Sequence, residues 1–444
     1  MVQQQNRRLN KQDYKTLTLA ALGGALEFYD FIIFVFFAVV IGKLFFPPDM
    51  PQWLMLMQAY GIFAAGYLAR PLGGIIMAHF GDLFGRKRMF SLSILMMAVP
   101  TLAMGMLPTY ATIGIAAPLL LLLMRIFQGA AIGGEVPGAW VFVAEHVPHK
   151  RIGLACGVLT AGLTIGILFG SLVATLINTT MSQEAIFNGG WRIPFFLGGI
   201  FGLVAMYLRR WLKETPVFIE MQARKTLAEE LPLKSVVVNH LRGVTVAMLL
   251  TWLLSACVVV VILMTPNYLQ TQFGIDRVIA LQANSMAIIA LCFGCVVAGL
   301  AADRFGASKT FIVGSIMLGI SSWMFYHSAT NVEQLFITYS LAGFCAGVVG
   351  AVPFVLVRAF PAEVRFSGIS FSYNVSYAIF GGLTPLCVTY MMKFTPMAPA
   401  YYVLGLSFLG LAIGIYLRND INETESSTEQ SPVELKDNTA ATIS

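Results

Sequence analysis

Charge is what this sequence has least of. Only 11% of its 444 residues are Asp, Glu, Lys or Arg, against roughly a quarter in an ordinary soluble domain. So thin a polar coat cannot cover a water-facing surface, which excludes a soluble enzyme and a disordered scaffold. Cysteine is scarce too. Cys156, Cys257, Cys292, Cys295, Cys345 and Cys387 all lie in apolar stretches, and Cys292-x-x-Cys295 has no second pair nearby. That excludes a secreted disulfide domain and reads the thiols as packing rather than as metal or redox centres. No Gly-x-x-x-x-Gly-Lys-Ser/Thr loop is present, so ATP is not the expected energy source, and no cofactor or metal is expected. A cleavable leader is missing as well: Arg7, Arg8, Lys11 and Lys15 precede an apolar stretch too long for a signal segment and poor in small-residue cleavage sites.

What the chain does have is apolar length. Hydrophobic residues make up 57% of it, and a membrane helix uses about 20 of them. Apolar runs lie near 17–42, 53–79, 89–108, 113–144, 153–178 and 191–211, then near 243–269, 278–302, 309–328, 333–358, 367–392 and 399–418. The expected fold is an all-α membrane protein of twelve spans in two six-helix bundles, 17–211 and 243–418. Around them lie an N-terminal segment 1–16, a polar linker 212–242, and a tail 419–444 that is rich in Glu, Ser and Thr, lacks a heptad and is expected to be disordered. Basic residues set the orientation. Lys43, Arg192, Arg277 and Lys393 fall outside and Arg70 and Arg125 within spans. All the others fall inside if the N-terminus does. Both termini are therefore expected in the cytoplasm of a bacterial inner membrane. The formal charge of +6 thus reflects membrane orientation and not nucleic-acid binding.

A repeat divides the chain in two. Gly81-Asp82-Leu83-Phe84-Gly85-Arg86-Lys87-Arg88 follows the second span, and Asp303-Arg304-Phe305-Gly306-Ala307-Ser308-Lys309 follows the eighth. Pro148 and Arg151 after span four are echoed by Pro361 and Arg365 after span ten. Parallel six-helix repeats with a solute held between them characterise one large transporter class.

At these motifs the sequence resembles the major facilitator superfamily, and within it the metabolite:proton symporter family, which includes proline/betaine, shikimate, citrate and 2-oxoglutarate carriers. The stretches that carry the resemblance are Glu27-Phe28-Tyr29-Asp30-Phe31, Arg70-Pro71-Leu72-Gly73-Gly74, His79-Phe80-Gly81-Asp82, Arg125-Ile126-Phe127-Gln128-Gly129, Gly133-Gly134-Glu135 and Glu214-Thr215-Pro216-Val217-Phe218. Leu83 and Ala78 depart from the superfamily's loop pattern, where a basic residue and a glycine are usual; Arg304 and Gly299 keep both in the second half. The resemblance implies that Asp82, Arg86, Lys87 and Arg88, with Asp303 and Arg304, tie the halves shut on the cytoplasmic side; spacing alone would allow an ordinary solvated turn. Span five lacks the glycine-proline signature of drug/proton antiporters.

Charges inside the bilayer need a reason, because each costs about 2.5–3.5 kcal/mol at its centre on insertion scales. Glu27 and Asp30 are three apart and share a helical face. Clustered, desolvated carboxylates raise one another's proton affinity, so Glu27, Asp30 and Glu135 are the candidate proton-coupling groups; structural pairing is the competing reading. Arg125 either binds a substrate carboxylate bidentately or neutralises Glu27 or Asp30. Arg70, nearer the inner end of span two, is expected in a structural ion pair. Tyr29, Tyr60, Gln128, Trp252, Tyr373, Asn374 and Tyr377 are candidate substrate contacts, each also explicable as packing. Tyr373 and Tyr377 share a face of span eleven.

The expected function is proton-coupled uptake of a small polar metabolite, with a mono- or dicarboxylate favoured. The expected partners are that solute, protons and the lipid bilayer, and the expected state is a monomer. The alternatives are a proline/betaine-type zwitterion symporter, a proton-coupled exporter of an organic anion or siderophore-like polycarboxylate, and a non-transporting sensor or scaffold.

Overall fold

The computed structural model describes residues 11–84, 86–133, 135–209, 232–361 and 364–429. Side chains at 11–13, 15–16, 27, 75–94, 135, 146, 208–209, 232–235 and 420–429 lie outside the description. The expectations placed on Glu27, Glu135, Asp82, Arg86, Lys87 and Arg88, and on linker residues 212–231, therefore fall outside the described side chains or residues.

Helix is found, among the described residues, in each of the twelve predicted runs. Among the described residues, nine are long and apolar enough to cross a membrane, from Leu17–Phe36 to Ala398–Asn419. The other three runs are also helical: Gln52–Phe84; Arg86–Met106, whose apolar part is Leu95–Met106; and Arg365–Ser376 continued by Gly382–Met391. In lipid every main-chain polar group must be satisfied within its own segment, which leaves the helix as the form for an apolar run. The last helix runs Ala398–Glu429, past the boundary at 418 drawn from composition; residues 430–444 are not described.

Spans one to six pack mainly among themselves, as do spans seven to twelve. Two seams join the halves: span five lies along span eight, and span two along span eleven. Lipid tails are as apolar as Leu, so close helix contact in a membrane depends on small residues. The span five/eight seam shows it. A Cβ added to Gly157 would sit 2.6 Å from the carbonyl oxygen of Cys295, and Gly153 meets the backbone of Gly299. Any side chain there would wedge the halves apart.

Among the described residues several spans are interrupted, three of them beside contacts described below. The first breaks at Phe37, between Lys11–Phe36 and Ala38–Phe45. Spans seven and eleven contain π-helical turns at Val259–Met264 and Tyr377–Gly381. Such turns leave carbonyls off the i→i−4 ladder and recur at functional sites. In span seven the carbonyl of Val260 accepts from Thr265 Oγ1 (3.0 Å) and Tyr326 OH (3.3 Å), and that of Val261 from Tyr339 OH at 2.7 Å.

Candidate functional site

Span four brings Arg125 into the middle of the first half, fully buried. Its Nη1 donates to the carbonyl of Phe31 at 3.1 Å and to Oε1 of Gln128. Gln128 is oriented in turn, donating to the carbonyl of Asp30 at 3.1 Å and to Thr101 Oγ1 at 2.7 Å. The guanidinium plane lies among three rings, Phe31, Phe34 and Phe63, at 4.2, 4.8 and 5.1 Å. Among the described side chains its Nε and Nη2 have no hydrogen-bond partner. Those two N–H groups share one edge of the plane, the edge that grips a carboxylate with two parallel bonds.

Arg70 repeats this arrangement about one helical turn further along span two. It is 1% exposed, and among the described side chains its Nε and Nη2 are again without a hydrogen-bond partner. Tyr67, Tyr373 and Tyr377 surround it at 5.4, 5.4 and 4.6 Å. An ion pair was expected here; among the described side chains its neighbours are rings. Tyr67 separates the two arginines, with its ring 4.8 Å from both Phe31 and Phe63 on one side and 5.2 Å from Tyr377 on the other. Trp140 backs Tyr373 at 5.1 Å.

The remaining predicted residues do not converge on one point. Asp30 is 1% exposed, and its carboxylate lies against span six: a Cβ on Gly198 would stand 2.5 Å from Oδ1, and one on Gly202 would stand 3.4 Å from Oδ2. Tyr29 also turns to span six, donating to the carbonyl of Pro194 at 3.0 Å and meeting Phe201 edge-on. Tyr60 accepts from Asn267 Nδ2 at 3.2 Å across the halves. Asn374 donates across them to the carbonyl of Gly133. Trp252 stays inside the second half, stacked on Phe380 at 4.2 Å with its Nε1 donating to Tyr402 OH at 3.3 Å.

Both ends of the bundle are closed. At the end carrying the basic loops, called the inner end after the orientation expected from them, the carboxylate of Asp303 accepts from the backbone N–H of Gly153 (2.7 Å) and Leu154 (2.8 Å). These are orphan donors at the start of span five, so a second-half residue caps a first-half helix. Arg304 takes no part in that contact and lies over Phe305 at 5.4 Å. Glu145 and Arg365 pair alongside at 3.2 Å, with 22–23% of each side chain exposed. At the outer end, Asn267 Nδ2 donates to the carbonyl of Val35 at 2.9 Å and Arg277 Nη2 to that of Phe36 at 2.5 Å. Ser171 and Ser285 join spans five and eight at 2.8 Å.

Sequence reasoning named Tyr373 and Tyr377 but missed the other rings around the arginines, Phe31, Phe34, Phe63 and Tyr67, and the outer closure. Phe31, Phe34 and Phe63 are indistinguishable from packing in an apolar run. Tyr67 stands three positions before Arg70 on the same helical face, which was the available signal. Arg277 reads as an outer-loop cation, yet it is 7% exposed and points inward to the break in span one.

A family model for the Major Facilitator Superfamily matches residues 20–300 and 263–441. The chain is 33% identical over 427 residues to the proline/betaine transporter of Salmonella typhimurium, covering 92% of this chain and 84% of that one. It is 31% identical, with the same coverage, to the glycine betaine/proline/ectoine/pipecolic acid transporter of Dickeya dadantii. A solved structure of the proton:xylose symporter XylE bound to 6-bromo-6-deoxy-D-glucose matches with a TM-score of 0.73 at 17% identity, over 92% of this chain and 95% of that one. Twelve helical runs in two halves, closed on each other by contacts at both ends and matched along nearly their whole length, place this chain in the major facilitator superfamily as a multi-pass membrane transporter.

Proposed function

We propose that the protein takes up a zwitterion of the proline/betaine class together with protons, by alternating access. One observation carries this reading: Arg125 holds an open two-pronged edge, buried among aromatic faces, at the middle of the bundle. A carboxylate suits the fork, and ring faces suit an ammonium on the same small solute. The printed activities of the relatives support the same class. The mono- or dicarboxylate favoured from sequence gives way to this alternative, which the relatives' printed activities favour. In this reading Asp30, with Glu27 and Glu135, carries the proton, taken up on the side open to an acidic exterior and given up on the other. Both termini are cytoplasmic by the distribution of basic residues.

The test is transport by purified protein in liposomes. For each proton moved with the solute, one pH unit, acid outside, adds about 1.4 kcal/mol of drive, or about tenfold accumulation of glycine betaine or proline. A protonophore should abolish it. Accumulation that ignores the gradient would exclude symport, and uptake of succinate in place of betaine would restore the organic-acid reading.

In the same scheme Asp303 sets the balance between inner-closed and inner-open states. A hydrogen bond to a charged group is worth about 1.5–3 kcal/mol, so Asp303→Ala should raise the inner-open population about 10- to 100-fold. Cys156, wholly buried one turn along from Gly153, reports it. In a Cys387→Ser background, which removes the exposed thiol, maleimide labelling from the inner face should accelerate by a comparable factor. An unchanged rate would take Asp303 out of the seal.

A further inference from the structure

We propose that Arg70 and its three tyrosines form a second solute station, inward of Arg125, which receives the carboxylate before release. It rests on the zwitterion reading above. Phe63 faces Arg125 and Tyr67 faces Arg70, four residues further along span two, an axial step of about 6 Å. The two arginines present the same edge, Nε with Nη2, without a partner among the described side chains, so a carboxylate leaving one meets an equivalent grip at the other. Tyr67 is the partition between them, in contact with the Arg125 rings on one side and with Arg70 and Tyr377 on the other.

The two stations differ in one respect that gives the path a direction. Phe31, Phe34 and Phe63 all belong to the first half, so the Arg125 cage keeps its walls however the halves tilt. The Arg70 cage takes Tyr67 from the first half and Tyr373 and Tyr377 from the second. Separation of the halves at the inner end therefore takes away two of its three walls and opens Arg70 to water. The station is complete while the inner end is closed and comes apart on opening. That is the property a release site needs.

A purely structural role for Arg70, as a cation holding the tyrosines together, predicts different behaviour. Equilibrium binding of radiolabelled glycine betaine to full-length protein in nanodiscs separates the two roles. Arg125→Gln should leave residual binding about tenfold or more weaker than wild type, held by Arg70. Adding Arg70→Gln should weaken that residue by at least another tenfold. Arg70→Lys in the same background should behave like Arg70→Gln, since lysine keeps the charge and the ring contacts but loses the fork. Rescue by lysine, or residual binding indifferent to position 70, would overturn the station and leave the zwitterion reading standing. Absence of betaine and proline binding by the wild-type protein would overturn both. Size-exclusion profiles identify folded variants, and if Arg70→Gln fails to fold, Arg70→Lys supplies the comparison alone.

Discussion

Replacing Arg125 with lysine weakens binding of glycine betaine and proline by about 10- to 100-fold, the equivalent of one or two hydrogen bonds to a charged group, while the protein stays folded. Lysine keeps the positive charge, so the Coulombic reason for a buried cation survives. It loses the planar fork: Nε and Nη2, the pair left open in the structure, become a single ammonium with no fixed edge. It also loses the double contact of Nη1 with the Phe31 carbonyl and Gln128, so the amide of Gln128 keeps only its donors' partners, the Asp30 carbonyl and Thr101. Equilibrium binding and initial uptake rates should fall together, because both report the same grip. Unaltered affinity would make Arg125 a counter-ion for the carboxylates of span one and nothing more.

Asp30→Asn should convert concentrative uptake into downhill flux. Asparagine has nearly the same shape, which matters here because Gly198 and Gly202 press on the carboxylate and leave no room for a larger group. The variant should therefore be expressed and bind solute. What it cannot do is exchange a proton at that position. Wild-type accumulation should steepen about tenfold per pH unit for each coupled proton; in Asp30→Asn the accumulation ratio should stay near one, whatever the gradient. If the variant still follows the gradient, the proton resides on Glu27 or Glu135, and Asp30 only shapes the contact with span six.

The architecture was readable because its cause is local. An apolar run of about 20 residues has one structural solution in lipid, and the paired loops after spans two and eight, with their aspartates, marked the two halves. Charged residues were readable as exceptions for the same reason: Asp30, Arg70 and Arg125 stand out against hydrocarbon. Their surroundings did not. Nothing in the order of residues says that Tyr373 and Tyr377, some 300 positions from Arg70, would close over it, or that Tyr29 would turn toward Pro194 and away from its neighbour's partners. Arg277 was misplaced by the same blindness. A cation near a predicted helix end looks like a loop residue until a helix break on another span offers it a carbonyl. Apolar aromatic residues suffer most, since packing and ligand cage use the same amino acids at the same spacing.

The outer closure has a peculiar genetics. On span one the acceptors are main-chain oxygens, those of Val35 and Phe36 beside the break at Phe37. No codon change at 35 or 36 deletes an oxygen that belongs to the peptide backbone. Drift can recolour that stretch of span one freely provided the break persists, whereas Asn267 and Arg277 have no such latitude. The two faces of one contact thus carry unequal mutational burdens, and a scan confined to the first span would pass over the closure without registering it.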